Sequence, residues 1–277
     1  MRTTLLAAAA SALTLTTLAA CSGGSPAAQS PAPTSSSAPA AATKLASPAE
    51  LATAVNAAML AKKTVQLSAD VVDSRKPAES VKTKSQLRFE DGGRVSSAMV
   101  AEQPEGATRT VMLPAESFLS SPDQEQETPG KPWRRFTVGG EDLTSKLMTS
   151  LMNRYVEMSD PSRGIVHFAA AGQLDSSAAE PVDGAAATRY TITVDYAKAA
   201  AASTDKLVKT NLESKVKLNR NAMKHEIWLD ANNLPLRWRA TETGKVEFTT
   251  TLDAKFQDWG KPVEIAAPPA TQVGESS

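Results

Sequence analysis

KHEIWLDANNLPLRWRATETGKVEFTTTLDAKF, residues 224 to 256, decides the fold class. His225, Ile227 and Leu229 alternate with Lys224, Glu226, Trp228 and Asp230. After Ala231-Asn232-Asn233 the alternation resumes, with Leu234, Leu236, Trp238 and Ala240 set against Arg237 and Arg239. Thr243-Gly244 breaks it again, and Val246, Phe248, Thr250, Leu252, Ala254 and Phe256 then carry the longest single-faced run. Side chains two residues apart share one face of a strand. Each run therefore has one apolar and one polar face, and turns this short make antiparallel neighbours.

Working outward, the same period recurs. Tyr190, Ile192, Val194 and Tyr196 alternate with Thr191, Thr193 and Asp195. Val65, Leu67, Ala69 and Val71 share a face, and so do Val81, Thr83, Ser85, Leu87 and Phe89. Asp91-Gly92-Gly93 is a hairpin signal after the second of these runs. Weaker strands are expected near 94–101, 107–113 and 116–120, with a short edge strand over Trp133–Val138. The polar, acidic stretch Ser121–Pro132 between them reads as a loop.

Helices are fewer. Ser47-Pro48-Ala49-Glu50 combines a cap, a proline suited to the first turn and a capping-box glutamate. It predicts a helix to about Lys62, with Leu51, Val55, Ala58 and Met59 on one face. Glu141–Tyr155 predicts a second, with Leu143, Leu147, Leu151, Met152 and Tyr155 on one face. Asp160-Pro161 starts a third that ends near Gly172, and the Ala/Lys-rich stretch at about 197–216 predicts a fourth. The fold class is α+β: one large antiparallel sheet whose apolar face the helices must cover.

The N-terminus belongs to export. Met1-Arg2-Thr3-Thr4 is short and basic, and Leu5–Leu15 is apolar apart from Ser11 and Thr14. That run is too short for a lasting membrane span and fits the apolar region of a signal peptide over residues 1–20. Leu18-Ala19-Ala20-Cys21 follows, with small residues before the chain's single cysteine. This resembles the lipobox of bacterial lipoproteins, which implies that the Cys21 thiol takes up a diacylglyceryl group and anchors the protein to the membrane on its extracytoplasmic face. Residues 21–44 are the lipidated cysteine and a tether, uncharged until Lys44 and dominated by Ser, Ala, Pro and Thr. Such a stretch buries too little apolar surface to offset its ordering entropy. Residues 45–269 are one domain, and 270–277 are expected to be a disordered tail.

The 277 residues carry 30 basic and 30 acidic side chains. That balance leaves no electrostatic footprint for nucleic acid. With Cys21 modified no disulfide can form within the chain. His167 and His225 are isolated, no Gly-x-Ser-x-Gly elbow occurs, and no ligand spacing for zinc is present. His225 lies in phase with Ile227 and Leu229, which reads as a core or wall histidine. Trp133-Arg134-Arg135 reads as an edge strand with protective charge, or as a site for a lipid headgroup or glycan. No enzyme activity and no cofactor or metal are expected.

Several of these features, in order, resemble the LppX/LprG-type bacterial lipoproteins, a family that shares its fold with the LolA-type lipoprotein carriers. They are the lipobox, the capped first helix, Lys131-Pro132-Trp133 ahead of a Leu/Met helix, and Asp160-Pro161. Further along come Thr188-Arg189-Tyr190 leading to Asp195-Tyr196, and Glu226-Ile227-Trp228-Leu229-Asp230 followed by Leu234-Pro235-Leu236-Arg237. Asp258-Trp259-Gly260-Lys261-Pro262-Val263 before Ile265-Ala266-Ala267-Pro268 closes the series. The resemblance implies a half-barrel of antiparallel strands wrapped over helices, with acyl chains of a lipid or glycolipid held between sheet and helices. The 197–216 segment is longer than the family's usual connection.

Two functions from different classes follow. In the first, a monomeric carrier or chaperone binds acyl chains against Leu67, Leu87, Phe89, Leu147, Leu151, Met152, Ile192, Ile227, Leu236, Trp238, Phe248 and Leu252. In the second, the core is filled and the lipoprotein binds another envelope protein. Periodicity alone does not separate a cavity wall from a dry core.

Overall fold

The computed structural model describes residues 44–77, 80–90, 94–103, 106–137, 161–204, 206–245 and 249–274. The lipobox, the tether to residue 43, the helix expected over 141–155 and residues 246–248 lie outside the described residues.

Helix α1 (Pro48–Lys62) opens the domain. Ser47 Oγ accepts from the Glu50 N–H at 3.2 Å, and the Glu50 carboxylate accepts from the Ala46 N–H at 2.8 Å. The capping box is therefore closed one residue further out than the usual motif. Lys63, at φ 65°, ends the helix, and its N–H returns to the Met59 carbonyl. Leu51, Val55 and Met59 are its buried stripe.

Five strands follow: β1 (Thr64–Asp73), β2 (Val81–Glu90), β3 (Arg94–Gln103), β4 (Gly106–Met112) and β5 (Glu116–Ser120). A short helix, α2 (Pro122–Glu127), occupies part of the expected loop and is capped by Ser121. Then come β6 (Trp133–Thr137), a 3-10 segment (Pro161–His167), the single turn α3 (Phe168–Ala171), β7 (Gly172–Ala179) and β8 (Thr188–Asp195). Helices α4 (Tyr196–Ala202) and α5 (Lys206–Lys217) lead to β9 (Arg220–Leu229), β10 (Pro235–Gly244) and β11 (Thr250–Gln257). The two-residue β12 (Val273–Gly274) ends the described chain.

The strands form one sheet in the order β12-β6-β5-β4-β3-β2-β1-β11-β10-β9-β8-β7. Every pairing is antiparallel except the parallel β12–β6 pair. The two end strands do not pair with each other, so the sheet is open and not a barrel. It is also curved. Six strand spacings separate β2 from β7, about 29 Å on a flat sheet. One helix of 15 residues, about 22 Å long, touches both, because α1 packs against β2 and β7. The sheet must bend around it.

Three expectations are corrected. The helix expected from Asp160 to Gly172 is a 3-10 segment with one α-turn, since the chain there passes directly over the sheet. A Cβ at Gly164 would stand 3.0 Å from the His225 ring. The helix expected over 197–216 is two helices, α4 burying Ala199 and Ala200 and α5 burying Leu212. They part at Ser203-Thr204, two weak helix formers. Strand β7 was not expected: GQLDSSAA has almost no β-branched or aromatic content. Within the stretch 270–277, Val273 pairs with Trp133 and Gly274 with Arg134.

Candidate functional site

The concave face of the sheet has two halves of different chemistry. Over β8–β11 and β1 it is filled. Leu51, Val55 and Met59 of α1 meet Val65, Leu67 and Ala69 of β1, together with Leu252, Ala254 and Phe256 of β11. Ile165, Phe168, Tyr196, Ala199 and Leu212 close the same cluster from the covering segments. At its centre Trp238, wholly buried, donates from Nε1 to His225 Nδ1 at 3.1 Å. The Phe168 and His225 rings meet in a T-shaped contact with centroids 5.0 Å apart. Burial, and then the positive charge of nearby His167, lower the His225 pKa to about 3. The imidazole is neutral and serves as an acceptor in the core.

Over β2–β5 the concave face is lined differently. The register sets Thr83 beside Ala101 and Ala101 beside Thr108 in one row, and Ser85, Met99 and Thr110 in the next. A third row runs Leu87, Ser97, Met112 and Ser117. Six of these side chains are buried hydroxyls: Thr83, Ser85, Ser97, Thr108, Thr110 and Ser117. Thr83 Oγ1 donates to the Ala69 carbonyl at 3.4 Å. Ser85 Oγ is buried with no hydrogen-bond partner among the described residues, a state that native interiors seldom tolerate.

The rims add two polar devices. Where α5 meets β10, buried Glu242 accepts from Tyr196 OH at 3.2 Å and pairs with Lys215 at 3.0 Å and with Arg220. At the opposite rim Trp259 stacks on both Phe89 and Phe256, and its Nε1 donates to the Pro235 carbonyl. On the convex face, burial raises the Asp253 pKa but hydrogen bonds from Arg237 and Arg239 outweigh it, so the carboxylate sits below its ordinary range. There Val111 and Phe118 pack against Ile265 as the chain crosses behind the sheet.

Of the expected wall residues, Leu67, Leu87, Phe89, Ile192, Ile227, Trp238 and Leu252 are brought together in one buried cluster. Leu236 is not. A bulge between Pro235 and Arg237 shifts the register, and Leu236 is only half-buried. Pro235 has no N–H for the ladder, which is where the alternation slips. Leu147, Leu151, Met152, Phe248 and the lipidation site Cys21 lie outside the described residues. Sequence reasoning missed Phe168 and the hydroxyl rows. Ile165 and Phe168 three residues apart were a signal for the first, and for the rows the alternating Thr and Ser of Val81–Phe89 was the only hint.

Two recesses stand apart from the main cluster. One, about 140 Å³, lies between α2 and β6 beside Arg134, which pairs with Glu127 at 3.3 Å. The other is an open groove of about 400 Å³ between Lys44–Ala46 and the β7 edge at Leu174–Ser177. Among the described residues no group of three or more His, Cys, Asp or Glu could hold a metal ion. No described helix is long and apolar enough to cross a membrane.

No family model matches the chain. No curated protein matches it either. Among solved structures, LprF from Mycobacterium bovis is similar at 12% identity over 79% of this chain and 97% of that one, with a TM-score of 0.41. A LolA superfamily protein from Nitrosomonas europaea is similar at 9% identity over 77% and 93%, with a TM-score of 0.31. The Pseudomonas aeruginosa MucA/MucB complex matches at 14% identity over 80% of this chain, with a TM-score of 0.32, and the chain spans 60% of that one. These values assign the chain to no family.

Proposed function

We propose that this is an LppX/LprG-type envelope lipoprotein, anchored through Cys21, that binds the acyl chains of a lipid or glycolipid on the concave face of its sheet. The observation that carries the reading is the contrast between the two halves of that face. Large side chains fill one half, while small hydroxyl side chains line the other and leave Ser85 Oγ without a partner among the described residues. On this reading an acyl chain lies over these small residues beside Met99 and Met112, and methionine adapts to irregular ligands. The buried hydroxyls suit the ester or sugar oxygens of the same molecule. Apolar burial supplies the affinity, at roughly 25 cal/mol per Å².

The test is native mass spectrometry of the mature protein from its host, with Thr110→Leu as the variant. If the hydroxyl face borders a ligand, wild type carries a lipid that the variant loses, and the variant melts no lower. If that face is closely filled, the larger side chain costs about 1–3 kcal/mol and no lipid is found in either protein.

A second reading, an interaction lipoprotein, is favoured by the filling of the half around Trp238 and by the outer edge of β7, which no described strand pairs, beside its open groove. An extended segment of an envelope protein would add to that edge as a further strand. Cross-linking from Ser177→Cys in the envelope would capture such a partner.

A further inference from the structure

His225 lies where an added charge would meet no solvent. Its ring is buried, and the indole N–H of Trp238 donates to Nδ1 at 3.1 Å. An imidazolium donates from both nitrogens. A proton added at Nδ1 would set two donors face to face and break that bond. The backbone of the covering segment lies directly against the ring. A Cβ at Gly164 would stand 3.0 Å from His225 Cε1 and 3.5 Å from Nε2, and Phe168, four residues on, makes the T-shaped ring contact.

Among the described residues no carboxylate offsets a charge there. Opposite His225 stand Ala240 on β10 and Ile192 on β8. Glu242, two residues beyond Ala240 on the same face, is already shared by Tyr196, Lys215 and Arg220. Tyr190, two residues before Ile192, uses its hydroxyl to accept from the Leu45 N–H. Glu50 and Lys62 are exposed at the two ends of α1. Lys224 and Glu226, the neighbours of His225 on β9, alternate to the other face of the sheet. His167, in the covering segment itself, opposes a second positive charge.

Water has one easy route to the ring. Strand β9 pairs along its length with both β8 and β10, so parting the sheet would break two ladders. The cover is slighter. It is a 3-10 segment and a single α-turn, and 3-10 turns have the poorer hydrogen-bond geometry. It enters the core through Ile165, Phe168 and Ala171, while Val166 between the first two is 69% exposed. Opening so small a piece takes less free energy than unfolding the sheet beneath it. We infer that residues 161–171 are an acid-released cover: a proton taken up at His225 frees them from the concave face of β8–β10 while the sheet stays folded. The device needs no ligand and stands apart from the lipid and partner readings alike. Burial under the closed cover holds the His225 pKa at about 3, against 6.5 for an exposed ring. Only the open form therefore takes up the proton between those values. Opening gains about tenfold per pH unit across that window, or roughly 25-fold from pH 7 to pH 5.

Hydrogen exchange of the full chain tests this, read by mass spectrometry at pH 7 and pH 5 and corrected for the intrinsic rate. Protection over 164–171 should fall roughly 25-fold on acidification and should stay below that of β1 at both pH values. His167→Gln should keep the fall, and His225→Gln should abolish it. Equal protection of the cover and β1 at both pH values means that the cover leaves only with the whole fold, which overturns the inference. Protection that does not change with pH overturns it too, as does a fall that survives in His225→Gln. Should His225→Gln not fold, the wild-type chain decides by itself. A loss of about tenfold per unit between about pH 6 and pH 4, the signature of one proton, supports the cover, and a flat or twice-steeper profile rejects it.

Discussion

His225 shows how one side chain couples the core to pH. Its pKa falls from 6.5 to about 3 on folding, because burial excludes the charged form. Above pH 6.5 the ring is neutral in both states and adds no pH dependence. Below it the unfolded chain takes up a proton that the folded one refuses, so stability declines as pH falls from about 6.5 towards 3. The slope is about 1.4 kcal/mol per pH unit, or about 2 kcal/mol lost by pH 5. Urea midpoints at pH 7 and pH 5 will show it, and His225→Gln, which keeps an acceptor for Trp238 Nε1, should flatten the profile. Trp238→Ala removes the ring beneath that bond and should cost about 3–5 kcal/mol in the same measurement. That His225 is a core residue was legible from its phase with Ile227 and Leu229. That it accepts from Trp238 was not, because the contact joins neighbouring strands at positions thirteen residues apart in sequence.

At the scale of elements, local chemistry and tertiary demand divide the work. α1 is written in its own sequence, cap first, and Ser47→Ala should lower stability by about 1 kcal/mol without changing the fold. α5 is held by a device that no local pattern announces. Glu242 comes from a strand, Lys215 from a helix and Arg220 from the start of another strand, and they meet only when the helix lies on the sheet. Glu242→Ala strands two cations in a half-buried place, with a loss of about 3 kcal/mol. Hydrogen exchange should then rise in α5 ahead of β9 and β10. The split between α4 and α5 and the turn into β7 have the same origin. Gly172 permits that turn because a Cβ there would lie 2.6 Å from the Phe168 carbonyl oxygen.

At the scale of the molecule the sheet is long, open and bent, and its ends need cover. β12 lies along β6 and gives that end a short guard. Ending the chain at Pro269 should expose the β6 edge, cost about 1 kcal/mol through the lost Val273 contact, and raise self-association in analytical ultracentrifugation. By itself the sequence determined that the domain is a large antiparallel sheet with helices on its apolar face. Alternation is a property of consecutive residues, and a strand of period two can present its apolar side in only one way. The tertiary structure alone decided that the sheet curls around α1, that Leu236 slips out of phase at a bulge, and that small hydroxyl residues from β2, β3, β4 and β5 come together opposite a half filled by Trp238 and Phe168. Curvature, bulges and empty or occupied volume depend on which strands become neighbours, and a side chain's periodicity is the same whether it faces another side chain or a ligand.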